Sequence, residues 1–207
     1  MDNLPNKKQC YAAGKNLALM HNIGLNFKTD SSRKRNIFSE LERAVNRKKF
    51  FINEFKGGEE FIEQFEEAVK FGKKDRSANG LIHNDYRPGN VLFKNDDKIN
   101  VVIDFDWSCR GPIIKDLALA VVEWSFPDGQ AEPEGELFDM FLSGYNSVAK
   151  NKYEKGALLY LWIKFAYLSE SCIFFADVNE GQYSDKVINN VGQCYMYRKY
   201  LFFLKQC

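Results

Sequence analysis

The sequence lacks an excess of charge of either sign. Its 207 residues include 29 Lys and Arg against 28 Asp and Glu, a net charge of +1 with neutral histidines. A protein that binds nucleic acid or an anionic membrane mainly through charge needs a clear excess of basic residues. The composition therefore predicts that neither of these is the main partner.

Cysteine and histidine are also scarce. There are five cysteines and two histidines, and no two cysteines form a CxxC pair. An odd number of cysteines without paired spacing argues against a disulfide framework and against a cysteine-based zinc site. These features predict reduced, buried thiols in a cytoplasmic protein.

The chain has no long apolar run without charges and no basic-then-apolar segment at its start. The longest apolar stretch, ALLYLWIKFAYLSESCIFFA (157–176), is interrupted by Lys164 and Glu170. A membrane span needs about 20 mostly apolar residues, and charges inside it are costly. We therefore expect a buried helix here, no signal peptide and no membrane partner.

Apolar residues are abundant, at 45% of the chain with 15% aromatic, which suits a ring-rich core. Apolar spacing predicts one helix up to Gly24 and two helices between residues 37 and 71, separated by KGGEE. Strand-like pieces occupy residues 79–105. Further helices are predicted at about 115–125, 133–149, 154–177 and 184–205.

The predicted fold class is α+β, mainly helical, with a small β-hairpin element. We expect a single domain over residues 1–207, since this length suits one domain or one large lobe. Within it, 1–80 form a helical entry segment, 81–112 carry polar loops, and 113–207 form a second helical region.

Polar residues gather in LIHNDYRPGNVLF (81–93) and again in VVIDFDW (101–107). A hairpin through residues 91–103 would bring Asn90 and Asp104 side by side, because both flank its paired strands. An amide oxygen beside a carboxylate suits Mg²⁺, which keeps water or phosphate oxygens as its other ligands. Asp85 would then lie close enough to accept a proton from a hydroxyl nucleophile. This layout predicts phosphoryl transfer.

HNDYRPGNVLF followed by VIDFDW resembles the H-x-D-x-x-x-x-N and D-x-D signatures of the aminoglycoside phosphotransferase and choline kinase superfamily, which has the protein-kinase-like fold. GKNLALMH is similar to the helix that opens the C-terminal lobe of that fold, and GPIIKDLALAV to the segment after its metal-binding loop. The homoserine-kinase-like branch is the most similar. The resemblance extends over nearly the whole chain.

By position, the resemblance implies that Asp85 is the catalytic base or a group that orients the acceptor. It implies that Asn90 and Asp104 are the Mg²⁺ ligands, with Asp106 as a further metal or substrate contact. The cofactors would be ATP and Mg²⁺, and the acceptor would be a hydroxyl group of a small molecule.

The resemblance also implies supporting roles around this site. His83 would brace the loop without moving protons, and Asp116 would hydrogen-bond the loop backbone from the following helix. Glu123 and Trp124 follow on that helix, where a carboxylate beside an aromatic ring would suit an amino group on the acceptor. A core Trp and a surface Glu is the alternative interpretation.

Members of the superfamily also have an N-terminal β-rich lobe with a phosphate-covering loop, a strand lysine and an adenine hinge. None of these is visible in the sequence, so we expect a C-terminal lobe only. A truncated gene, a fragmentary sequence or an N-terminal lobe supplied as a separate partner would each explain this. The predicted function is an ATP- and Mg²⁺-dependent phosphotransferase acting on an amino alcohol, amino acid or amino sugar, homoserine-like or aminoglycoside-like. The alternative is a non-catalytic kinase-like binding module or an inactive fragment.

Overall fold

The computed structural model describes residues 5–28, 37–75, 77–95, 97–126, 133–181 and 189–204. They form two compact units. Unit 1 contains Met1–Lys34 and Ser77–Leu159, and unit 2 contains Arg35–Arg76 and Tyr160–Cys207.

The predicted fold class is confirmed, because helices dominate the described residues and the strands are short. The elements, in chain order, are α1 (Lys7–Gly24), α2 (Ile37–Val45), α3 (Lys48–Glu54), α4 (Gly58–Lys74), β1 (Asn79–Ile82), β2 (Val91–Asn95), β3 (Lys98–Val102), β4 (Cys109–Pro112), α5 (Ile113–Ser125), α6 (Gly135–Val148), α7 (Ala157–Asn179) and α8 (Tyr195–Leu204).

The strands form two antiparallel pairs. The predicted hairpin joins β2 to β3, with Val91 opposite Val102. The second pair joins β1 to β4, with Ile82 opposite Cys109. We did not predict β4, because CRGP contains the Gly and Pro of a turn, and only its distant partner β1 makes it a strand.

Two helix predictions were wrong in their bounds. The region 37–74 forms three helices, since a turn at residues 46–47 separates α2 from α3. The last helix begins at Tyr195 and not at 184. Residues 191–193 form a 3₁₀ turn that Asn190 caps, because its side chain accepts a hydrogen bond from the Gly192 N–H. Residues 182–188 lie outside the described part of the chain.

In unit 1, α1 and α6 pack backbone against backbone. A Cβ atom added to Gly14 would lie 2.0 Å from the carbonyl oxygen of Phe141. A Cβ atom added to Gly144 would lie 2.0 Å from the carbonyl oxygen of Tyr11. Each glycine therefore faces the backbone of the opposite helix, and neither helix can accept a side chain at this crossing.

Gly144→Ala should destabilise the protein by at least about 2 kcal/mol, since the methyl group forces the two helix backbones apart. This loss exceeds the roughly 1 kcal/mol that Ala gains over Gly in helix propensity. Gly135→Ala in the same helix is the control, because no atom lies within 4 Å of its added Cβ. Urea unfolding of both variants measures the difference, and equal stabilities would contradict the tight crossing.

Unit 2 contains a core rich in aromatic rings, and α7 supplies much of it. Trp162, Phe165 and Phe175 are fully buried. By length and composition α7 could also cross a membrane, but 61% of its most apolar window is buried inside the protein. Core helices commonly have these properties, and the burial agrees with the buried helix predicted for this stretch.

Candidate active site

The predicted catalytic loop lies in unit 1, between β1 and β2. It runs from His83 to Asn90 and closes with a 3₁₀ turn over Pro88–Asn90. The Ile103 N–H donates to the carbonyl oxygen of Asn90 at 3.0 Å and so extends the β2–β3 ladder. The loop end and the residues after β3 are therefore neighbours, and Asn90 and Asp104 flank the same end of the hairpin.

Asp85 and Asn90 are in direct contact. The Asn90 amide nitrogen donates to the main-chain oxygen of Asp85 and to its Oδ2, both at 2.8 Å. Two acceptors on one side of the amide fix its orientation, because the amide oxygen cannot face them. Asn90 Oδ1 is therefore directed away from Asp85, while the Arg87 Nε lies 3.4 Å from Asp85 Oδ1.

Asp104 has an uncommon backbone conformation. Its φ of 64° lies in the left-handed region, which non-glycine residues enter rarely and Asp or Asn most easily. Such conformations concentrate at functional sites, where the surrounding structure maintains them. Asp104 is also exposed, so its carboxylate can reach a ligand in solvent.

Asp106 is exposed too, two residues further along a turn. Among the described residues, no three His, Cys, Asp or Glu side chains come together as a metal-binding group. The predicted ligands Asn90, Asp104 and Asp106 include only two carboxylates, so Asp106 stays a predicted metal or substrate contact. The pair of Asn90 and Asp104, one amide and one carboxylate, suits the few protein ligands that Mg²⁺ usually takes.

His83 bridges the two loops. Its Nδ1 accepts a hydrogen bond from the Asp85 N–H at 3.3 Å, so the ring proton lies on Nε2. Nε2 donates to the carbonyl oxygen of Ile103 at 3.1 Å, and the ring is 1% exposed. Both ring nitrogens are therefore hydrogen-bonded to the backbone. His83 thus holds Ile103, the residue before Asp104, in place relative to Asp85.

Asp116 anchors the same loop from the first turn of α5. Its Oδ1 accepts the Asn84 N–H at 2.8 Å, and its Oδ2 accepts the His83 N–H at 2.9 Å. His21 Nε2 donates to Oδ2 at 3.0 Å, and His21 Nδ1 lies 2.8 Å from the Tyr145 hydroxyl. One buried carboxylate thus connects the loop to α1 and, through His21, to α6.

The environment of Asp116 keeps it ionised. Burial by itself raises the pKa of this carboxyl group, because a charge in the interior loses its hydration. The hydrogen bond from His21 and the charges of His21 and Lys115 together outweigh burial and lower the pKa below its ordinary value of 3.8. Asp116 can therefore act only as an acceptor at neutral pH.

Residues 1–158 match the phosphotransferase enzyme family. The chain belongs to the phosphotransferase enzyme family. The superfamily predicted from the two motifs is therefore confirmed.

The curated relatives that this chain matches are homoserine kinases. The chain is 32% identical over 124 residues to the homoserine kinase of Methylobacillus flagellatus, which covers 60% of the chain and 37% of that protein. It is 29% identical over 126 residues to the homoserine kinase of Rhodopseudomonas palustris, covering 60% of the chain and 38% of that protein. The matches thus span under two fifths of these relatives.

Solved structures have the same fold. Amicoumacin kinase hAmiN, in complex with AMP-PNP, Ca²⁺ and Ami, aligns with a TM-score of 0.65 at 16% identity over 98% of this chain and 59% of that one. The choline kinase LicA from Streptococcus pneumoniae aligns with a TM-score of 0.64 at 15% identity over 95% and 63%. At these identities the likeness concerns the fold, which is protein-kinase-like, as predicted.

Some residues of the candidate site were not predicted from the sequence. His21 lies on the buried stripe of α1 with Leu17 and Ala18, and this spacing was a signal that the sequence offered. Arg87 and Lys115 carried no signal, because their contacts depend on how the loop folds.

Glu123 and Trp124 were the candidates for acceptor binding. Trp124 is 1% exposed, and its indole N–H donates to the carbonyl oxygen of Tyr86 at 3.2 Å. Its ring also packs on Phe93 and Phe141. The structure assigns Trp124 to the core, the alternative that the sequence left open, while Glu123 is half-buried.

A cavity of about 320 Å³ lies in unit 2 between α2 and α4, with Phe38, Leu41, Val45 and Val69 in its lining. It includes none of the predicted site residues. We therefore locate the candidate site on the loop from His83 to Asn90 because of the chemistry of its residues, and not because of a cavity there.

Proposed function

We propose that this chain carries the base, the metal ligands and part of the acceptor site of an ATP- and Mg²⁺-dependent phosphotransferase. The acceptor is a hydroxyl group of a small amino acid, amino alcohol or amino sugar, with homoserine as the first choice. The observation that carries the proposal is the direct contact between Asp85 and Asn90 beside the left-handed Asp104.

Asn90 Oδ1 and the Asp104 carboxylate would hold the magnesium ion. The donor set fits, because both are hard oxygen ligands at the same end of one hairpin. When bound, Mg²⁺ with ATP supplies the phosphoryl group and neutralises the charge on its oxygens. Asp85 does not coordinate the metal in this scheme, because its carboxylate already accepts a hydrogen bond from the amide nitrogen of Asn90.

Asp85 would receive the proton of the acceptor hydroxyl as that oxygen bonds to the γ-phosphorus of ATP and the bond from this phosphorus to ADP breaks. Its Oδ2 is occupied by Asn90, whereas Oδ1 faces Arg87 at the longer distance of 3.4 Å. The side chain is 27% exposed, so an acceptor can reach it from solvent. We therefore assign the proton transfer to the Asp85 carboxylate.

Homoserine as the acceptor is supported by the curated relatives, which are homoserine kinases. Such an acceptor carries an ammonium group, and Glu123 is the carboxylate on α5 that we assign to it. Trp124 takes no part in this contact, because its buried ring supports the loop through Tyr86.

Thermal unfolding of this chain with ATP tests the proposal. ATP with Mg²⁺ should raise the melting temperature in a dose-dependent way, since a ligand at 100 times its dissociation constant contributes roughly 2.7 kcal/mol. ATP with EDTA should give a smaller rise, because Asn90 and Asp104 act through the metal. Release of ADP with homoserine, choline or an aminoglycoside then ranks the acceptors.

An unchanged melting temperature with intact folding would contradict nucleotide binding by this chain. It would favour the second candidate, a kinase-like binding module that recognises small molecules without transferring phosphate. If ATP raises the melting temperature equally with and without Mg²⁺, nucleotide binding stands. Only the assignment of Asn90 and Asp104 as metal ligands is then contradicted.

A further inference from the structure

A buried lysine occupies a position that electrostatics disfavours. Lys115 is the third residue of α5 and is 1% exposed. Burial penalises its charge, and the N-terminal end of a helix is the positive end of the helix dipole. A residue that opposes two such rules indicates a specific role at a functional site.

The lysine is directed at the catalytic loop. Lys115 Nζ donates to Asn84 Oδ1 at 2.5 Å, and the Asn84 N–H donates to Asp116 Oδ1 at 2.8 Å. Two consecutive residues of α5 therefore hold the side chain and the backbone of Asn84. The neighbouring carboxylate of Asp116 also compensates the buried ammonium charge.

Asn84 is the residue at which the loop reverses. Its φ of 66° is left-handed, and the next residue is Asp85. The Asp85 N–H turns back to His83 Nδ1 across this position. Fixing Asn84 therefore fixes the direction in which the Asp85 side chain leaves the loop towards Asn90.

We propose that Lys115 is a positioning residue of the catalytic loop, which acts through Asn84 to hold the direction of Asp85. The catalytic part of this statement rests on the proposed function, in which Asp85 is the base. The link from Lys115 to the loop stands on the contacts of Asn84 alone.

Amide hydrogen exchange of the whole chain tests the link without any need for activity. Lys115→Met keeps the length of the side chain but removes the ammonium donor. We expect exchange in residues 83–90 to accelerate on the order of tenfold, the usual effect of losing a hydrogen bond to a charged group. Exchange in α6 should stay at its wild-type rate.

Lys199→Met is the matched control. Lys199 is also a buried lysine, 4% exposed, but it belongs to unit 2, where its Nζ lies 5.3 Å from the ring centroid of Tyr195. This variant should leave exchange in residues 83–90 unchanged. If both lysine variants accelerate exchange throughout the chain to the same degree, Lys115 is only a structural residue and the proposal is overturned.

A double-mutant cycle identifies the route. Asn84→Gly removes the amide acceptor, while Gly still adopts the left-handed backbone without strain. Each single variant should loosen the loop, and the double variant should loosen it no further, because both remove one interaction. Additive effects would overturn the route through Asn84. If Lys115→Met fails to fold, Asn84→Gly alone decides, and wild-type exchange in it would overturn the proposal.

The kinetic readout depends on the proposed function. With homoserine as acceptor, Lys115→Met should lower kcat about tenfold while KM stays within about twofold, the pattern of a misdirected base with intact binding. If the wild-type chain transfers no phosphate while the exchange results hold, the proposed function fails and the positioning link survives. Equal losses in kcat and binding would contradict a role in aiming Asp85.

Discussion

Asp104→Asn should remove the Mg²⁺-dependent part of ATP binding and lower phosphotransfer on the order of 10²- to 10³-fold, the usual cost of losing one group that stabilises transition-state charge. The variant replaces a charged ligand by a neutral one of the same shape. Asn also tolerates the left-handed backbone at this position, where φ is 64°. The melting temperature without ligand should therefore stay at the wild-type value.

Two companion variants separate binding from chemistry. Asp104→Ala should lose the metal and also destabilise the chain, because Ala enters the left-handed region at a cost of about 1–3 kcal/mol. Asp85→Asn should keep the Mg²⁺-dependent rise in melting temperature while losing turnover, since the base holds no metal in this scheme. Wild-type turnover in either Asp85→Asn or Asp104→Asn would end the assignment of the site.

Asp116→Asn should be the most destabilising single charge removal in unit 1, at about 3–5 kcal/mol. The carboxylate accepts the N–H groups of His83 and Asn84 and the Nε2–H of His21. The asparagine side chain would direct the hydrogens of its own amide nitrogen towards one of these N–H donors. Lys115 would also lose the negative charge beside it. The melting temperature should fall by roughly 2–4 °C for each kcal/mol.

The pH dependence of this loss has a definite sign. The pKa of Asp116 is lowered by folding, so its contribution is complete above the ordinary value of 3.8 and is lost as the pH falls towards the lower folded pKa. The stability difference between wild type and Asp116→Asn should therefore shrink as the pH falls below 3.8.

Asp139→Asn is the control for that experiment. Asp139 lies on α6 and pairs with Lys155 at 2.8 Å, but the Asp139 side chain is 62% exposed. Removing an exposed pair costs at most about 1 kcal/mol. A loss at Asp116 no larger than the loss at Asp139 would contradict the anchoring role of the buried carboxylate.

The chemistry-bearing part of the site was predictable because it is local. Asp85, Asn90 and Asp104 lie within 20 residues, and one hairpin fixes their relation once Val91 pairs with Val102. The hydrogen bond from Asn90 to Asp85 was not predicted, since it depends on how the 3₁₀ turn at Pro88–Asn90 directs the amide.

The anchoring part was only partly predictable, because it joins distant segments. His21 is 95 residues from Asp116, and no spacing rule connects an α1 residue with an α5 residue. The pairing of β4 with β1 is equally non-local, and CRGP has no strand character of its own. Such contacts are decided by tertiary packing, which outweighs local propensity.

The glycine crossing of α1 and α6 has a consequence beyond stability. The helices that cross at Gly14 and Gly144 also contain His21 and Tyr145, whose side chains are in contact. Tyr145 directly follows Gly144. A methyl group added at the crossing would therefore displace the His21 imidazole, which donates a hydrogen bond to Asp116. A substitution at either glycine would therefore disturb the loop that carries Asp85, although neither glycine belongs to that loop.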